Sequence, residues 1–115
     1  MTVVLLSGDL MVMSRVAGAA AQHRVDLQTA SNSQQAVQSC IEHSARMLVL
    51  DLSTPSLNVA ELVAAVKTDK DAAPTIVAFG PHVHEERLAA ARDAGCDRVV
   101  SRGQFFGQLD TLLQL

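Results

Sequence analysis

The chain has no tryptophan, no tyrosine and only three phenylalanines in 115 residues. That removes the stacking platforms on which single-stranded nucleic acid is held. Basic excess is missing too: nine Lys and Arg stand against twelve Asp and Glu, a net charge of −3. With no basic stripe, nucleic acid is not an expected partner. No apolar run approaches the roughly 20 residues that span a bilayer. No basic stretch precedes the first run, so neither a membrane nor a signal peptide is expected. Cys40 and Cys96 stand alone, without CxxC or metal-type spacing. They read as reduced thiols, small core residues of a cytoplasmic protein. There is no G-x-G-x-x-G and no Walker lysine, which leaves only a weak phosphate-loop reading for Ser7-Gly8-Asp9.

What is present is an apolar chain, 49% hydrophobic and 18% charged, long enough for one domain over residues 1–115. Short apolar runs alternate with helical patterns. Val3–Leu6, Val25–Thr29, Met47–Leu50, Thr75–Ala78 and Arg98–Ser101 read as strands, the second at an edge because it alternates. Helices are expected over Leu10–Gln22 with Asp9 as N-cap, from a Ser33 cap to about Ser44, and from Val59 to about Thr68 behind an Asn58 cap. Two more are expected over Val83–Ala94, closed by Gly95, and over Gln104–Leu115. A polar loop covers 68–74, and Gly80-Pro81 ends the fourth strand. Strand and helix alternate five times, which predicts a doubly wound α/β fold: a parallel sheet with helices on both faces.

One acid stands out in this pattern. Met47-Leu48-Val49-Leu50 runs directly into Asp51, and Pro55 follows four residues later. Open parallel sheets collect their ligands just past the carboxyl ends of the strands. Asp51 is placed where such a fold works. His82 and His84, beside Glu85 and Glu86, suggest a metal site, but acids at a helix N-terminus explain the cluster more simply.

Five βα units of this length fit the flavodoxin-like strand order 2-1-3-4-5. The chain resembles the receiver domain of bacterial two-component response regulators along nearly its whole length. Asp51 falls at that family's phospho-accepting aspartate and Pro55 at the proline after it. Thr29-Ala30 matches a common family dipeptide, and Ala94-Gly95-Cys96-Asp97 resembles the family's Ala-Gly-Ala-Asp. The resemblance implies phosphorelay signalling, partners such as a histidine kinase or an output protein, and a cytoplasmic setting. It also implies a docking and dimerising face on the fourth helix, fifth strand and last helix, here carrying Arg87, Arg92, Asp97, Arg98, Val99 and Phe106.

The departures concern the phosphorylation set. The family's paired magnesium-holding acids align with Ser7 and Gly8, with Asp9 one residue late. Its phosphoryl-contacting Thr or Ser aligns with Phe79, followed by Gly80. Its lysine aligns with Arg102, and its strand-five aromatic with Val99. The set therefore implies an atypical receiver, not an enzyme, acting by protein–protein contact and needing no cofactor. Two alternatives stay open. In one, Asp51 is still the phosphoacceptor, with Asp9 and Asp51 on magnesium and Arg102 in the lysine's place. In the other, the crevice of Ser7, Gly8, Asp51, Gly80 and Arg102 senses an anion or small ligand, in a pocket that also takes in Asp9, Ser53 and Phe79. A structural Asp51–Arg102 ion pair is the plain expectation for those two residues.

Overall fold

A computed structural model describes residues 1–68 and 72–114 of the chain. The middle of the expected polar loop, 69–71, and the expected last helical residue, Leu115, lie outside the described residues. Five strands form one parallel sheet: β1 (Thr2–Leu6), β2 (Asp26–Ala30), β3 (Met47–Asp51), β4 (Thr75–Gly80) and β5 (Arg98–Ser101). Their order is β2-β1-β3-β4-β5, which is the expected 2-1-3-4-5 with β2 at an edge. The central strands are almost wholly apolar, as a sheet covered on both faces requires.

The two-residue period of the strands divides the core into two layers. Val3, Leu5, Met47, Val49, Val77 and Phe79 face α1 (Leu10–Gln22), α5 (Arg102–Gly107) and α6 (Leu109–Leu112). Val4, Leu6, Leu48, Leu50, Ile76 and Ala78 face α2 (Ser33–Glu42), α3 (Val59–Val66) and α4 (Glu85–Asp93). On the first side the rings of Phe79 and Phe105 stack, with centroids 4.2 Å apart and planes 9° from parallel. Among the described residues no helix is long and apolar enough to cross a membrane.

Several boundaries differ from expectation for local reasons. Asn32, not Ser33, caps α2, its side chain accepting from the Gln35 amide. The β2 strand starts at Asp26, because the Val25 amide is spent closing α1 on the Ala20 carbonyl. The β4 strand runs on through Gly80, which pairs with Ser101. A Cβ on Gly80 would lie 3.3 Å from the Leu52 Cβ, so the close approach favours glycine there. The α4 helix starts late, after a turn in which the His84 amide bonds to the Pro81 carbonyl. The expected last helix is two short ones meeting at Gln108. Arg98 on β5 reaches that junction, donating to Gln108 Oε1 at 2.8 Å.

The α1, α2 and α4 helices end alike. Arg24, Ser44 and Gly95 take left-handed backbone angles, and each donates to the carbonyl three residues back. The following amides of Val25, Ala45 and Cys96 donate five residues back, completing three Schellman motifs. Gly95 has the role expected of it; Arg24 and Ser44 adopt the same angles with a Cβ. Replacing either by glycine should raise stability by up to about 1 kcal/mol, read as a higher urea midpoint at unchanged slope.

Candidate functional site

The site is built where three strands end. Asp51 is the last residue of β3 and is 2% exposed, although no apolar side chain stands there. Its burial is balanced by hydrogen bonds. Ser7, just past β1 and also 2% exposed, donates its hydroxyl to Asp51 Oδ2 at 2.7 Å. The Ser53 amide donates to Oδ1 at 3.0 Å. Ser7 is itself held by its amide on the Ala30 carbonyl at the end of β2, and its Oγ accepts from the Asp9 amide. A buried carboxylate needs such donors or a cation, because desolvation is otherwise too costly. Among the described residues no Lys, Arg or His pairs with Asp51.

Asp9 does two other jobs. Oδ1 accepts from the Met11 and Val12 amides, capping α1 as expected. Oδ2 accepts from Arg102 Nη2 at 3.3 Å. The expected Asp51–Arg102 pair is thus not formed: Arg102 starts α5 and takes the exposed carboxylate instead of the buried one. The Val12 and Met11 amides, with Arg102 beside them, hold the Asp9 carboxyl below the usual carboxylate range. Arg102 also lies 5.7 Å above the Phe106 ring, and Arg15 of α1 lies 3.9 Å above it.

Asp51, Asp9, Gly8, Ser53, Thr54 and Pro55 line one cleft of about 490 Å³. The structure divides the expected anion crevice. Gly80 is buried in the sheet beneath Leu52, and Arg102 is turned to Asp9; neither lines the cleft. Phe79 sits opposite Asp51 in the β3–β4 register but is fully buried on Phe105. It fills volume beside Asp51 and presents no polar group. Thr54 was not singled out by any pattern; it lines the cleft, is 9% exposed, and its hydroxyl has no partner.

Magnesium needs near-octahedral oxygen ligands, usually one or two carboxylates with waters and phosphate oxygens. Each Asp51 oxygen accepts one hydrogen bond and keeps a second acceptor position, but among the described residues no second acid is free beside it: both Asp9 oxygens are committed to the helix cap and Arg102, and Ser7 and Gly8 carry no carboxylate. The residues present fit that ion poorly. Among the described residues no three His, Cys, Asp or Glu side chains converge, so His82 and His84 do not assemble a site with Glu85 and Glu86. Burial pushes the Cys40 thiol up to about 11 and raises Cys96 as well, which makes both poor nucleophiles at neutral pH.

The expected interaction face is dispersed. Arg92 and His82 line a cleft with Ser101 and Gln104, between α4 and the top of β5. Val99 packs against the core on that side. Arg87 instead lines a separate cleft with Leu52–Ala60, on the other flank of α4. Asp97 lies at the far end of the sheet, where it accepts from the Ile76 amide at 2.7 Å and pairs with Lys67. Arg98 is engaged with Gln108, and Phe106 faces α1 through Arg15. These last three make contacts within the chain, and Asp97 and Arg98 stay exposed while doing so.

No family model matches the chain, and no curated relative matches it. Solved structures do. The chain is similar to the chemotaxis response regulator CheY4 of Vibrio cholerae, with a TM-score of 0.80 at 15% identity, covering 98% of this chain and 95% of that one. A response regulator from Hahella chejuensis gives 0.82 at 18% identity, with 97% and 91% covered. The receiver domain of the sensor histidine kinase PA1611 from Pseudomonas aeruginosa, solved with magnesium in its active-site cleft, gives 0.81 at 13% identity over 98% and 93%. The fold is that of receiver domains.

Two outcomes follow from the site. Ser7→Ala removes the hydroxyl donor from a buried carboxylate and should cost about 1.5–3 kcal/mol in urea denaturation, where an exposed serine would cost little. Asp9 titrates below its unfolded value, so its contribution is present above about pH 4 and lost as pH falls through the lower folded value. Asp9→Asn keeps a cap without the titration. Acid unfolding followed by circular dichroism should therefore be less steep in that variant below about pH 4.

Proposed function

We propose that this chain is a receiver-type signalling module that acts through protein–protein contact, without magnesium-dependent phosphorylation of Asp51. One observation carries the reading: a serine hydroxyl 2.7 Å from Asp51 stands at the expected magnesium-ligand position, and it engages the acid directly. Phosphoryl transfer to a carboxylate relies on positioning and on cancelling charge. The Ser7 hydroxyl, the fully buried Phe79 and the diverted Arg102 provide neither a metal nor a cation at Asp51. The fold itself remains intact around that change, which supports a role that uses the surface.

The surface that supports docking best is the α4–β5–α5 side, where Arg92, His82, Ser101 and Gln104 line a cleft of about 510 Å³. A signalling protein, a kinase or output protein among the candidates, or a second copy would seat there. A stable contact of that kind buries roughly 1,600 Å² in total.

A divergent phosphoacceptor is the second reading. It is favoured by the placement of Asp51 at the end of β3, where it lines an open cleft. Intact-mass spectrometry after acetyl phosphate and magnesium separates the two. We expect no added phosphoryl mass. A phosphoryl adduct that Asp51→Asn abolishes would overturn the proposal in favour of the second reading.

A further inference from the structure

A groove of about 680 Å³ lies between α4 and the loop that leads from β3 into α3. That is within the size range of small-molecule sites. One wall is a single stripe of α4, made by Arg87, Ala90 and the C-cap Ala94. The alanines leave the space open, and Arg87 sets one positive charge at its end. Among the described residues no carboxylate pairs with Arg87. The opposite wall carries donors without acceptors. Val59 and Ala60 open α3 and line the groove, and among the described residues neither amide has an acceptor. The Asn58 side chain accepts from the Glu61 amide instead. Thr54 stands in the same wall, 9% exposed, and its hydroxyl has no partner. A change between staggered rotamers exchanges that hydroxyl with the methyl, so it can turn toward a bound group.

Two open amides at a helix N-terminus, an unpaired hydroxyl and a guanidinium all favour an anion. The neighbouring acids are not in the groove: Asp51 lines the other cleft, and Glu61, in the first turn of α3, lines neither. One arginine balances a single charge, which a carboxylate carries and a phosphate monoester exceeds. Its fork also matches the two oxygens of a carboxylate. From Arg87 to Ala94 the wall runs two turns of helix, about 10 Å. Leu52, Pro55 and Leu57 add apolar surface to the lining. A carboxylate with an apolar tail fills such a groove, whereas the short stem of an aspartate or glutamate does not. We infer that the groove between α3 and α4 binds a small organic carboxylate, with its head at Arg87, Thr54 and the first amides of α3 and its tail along Ala90 and Ala94.

The test is an amide-resolved NMR titration with sodium hexanoate, against sodium chloride at matched ionic strength, sodium acetate, hexanol, hexylphosphonate and a blocked Ala-Glu-Ala peptide. Hexanoate should give saturable shifts at Thr54, Val59 and Ala60, with the last two amide protons moving downfield as they gain an acceptor. Acetate, which has the head alone, should bind at least about tenfold more weakly. Hexanoate binding should weaken by about tenfold in Arg87→Gln and severalfold in Thr54→Val. Ala90→Leu, which fills the groove, should abolish it. Arg87 and Ala90 are exposed, so their variants keep the fold. Thr54→Val removes an unsatisfied hydroxyl and should leave the urea midpoint no lower. Shifts no larger than those of sodium chloride would overturn the site, as would hexanol binding as tightly as hexanoate. So would saturation unchanged in Arg87→Gln and Ala90→Leu, or tighter binding of hexylphosphonate. The peptide binding as tightly as hexanoate would also overturn it, and would give the groove to an acidic side chain of a partner. Asp51 does not line the groove, so a phosphoryl adduct there would overturn the function proposed above and leave this site standing.

Discussion

A parallel sheet covered on both faces has no wet side, and most of this molecule follows from that. Polar groups are driven to the strand ends, where the backbone leaves the sheet and helices begin. Among the described residues Asp51 is the one acid carried into the buried part of a central strand. Everything around it answers the cost of burying a carboxylate. Ser7 is drawn in from β1, the Ser53 amide turns back, and the loop after β3 closes with the Thr54 amide on the Asp51 carbonyl. The cleft is what remains when that arrangement is complete.

The same constraint orders the neighbouring departures. Phe79 is in register with Asp51 on the same face of the sheet. In that place a large ring has to be accommodated by the layer beneath, and Phe105 stacks on it while Phe106 packs edge-on against Phe105. Phe106 in turn gives Arg15 and Arg102 a ring face to lie over. Arg102, so placed, meets Asp9 at the start of α1 and not Asp51. Phe79 in β4 is therefore connected, contact by contact, to the direction in which the arginine at the start of α5 points.

The fold was largely legible in the sequence because two periods dominate it. Unbroken apolar runs marked the central strands, and Asp9, Asn58 and Gly95 marked helix ends that form as expected. Boundaries were lost where a tertiary contact overrode the local signal, as in the splitting of the last helix at Gln108 beneath Arg98. Asp51 was legible from its position at the end of an apolar run. Ser7 and Ser53 were legible as its neighbours in the crevice that the resemblance implies, but not as its donors. Ser7 gives no sign in sequence that its hydroxyl reaches 44 residues along the chain, and Thr54 is one hydroxyl among several in a polar loop. Arg102 had two carboxylates within the expected site, and only the geometry distinguishes the exposed cap from the buried acceptor.

The direction that Arg102 takes also decides how the buried acid is held. Its guanidinium is shared between Asp9 and a half-buried aromatic ring. The acid is instead held by neutral donors that satisfy its hydrogen bonding without cancelling its charge. Neutral donors keep the geometry fixed and leave the electrostatic demand in place. The alternation of strand and helix supplies the rigid frame that holds the acid and its donors in one arrangement at the carboxyl ends of the strands.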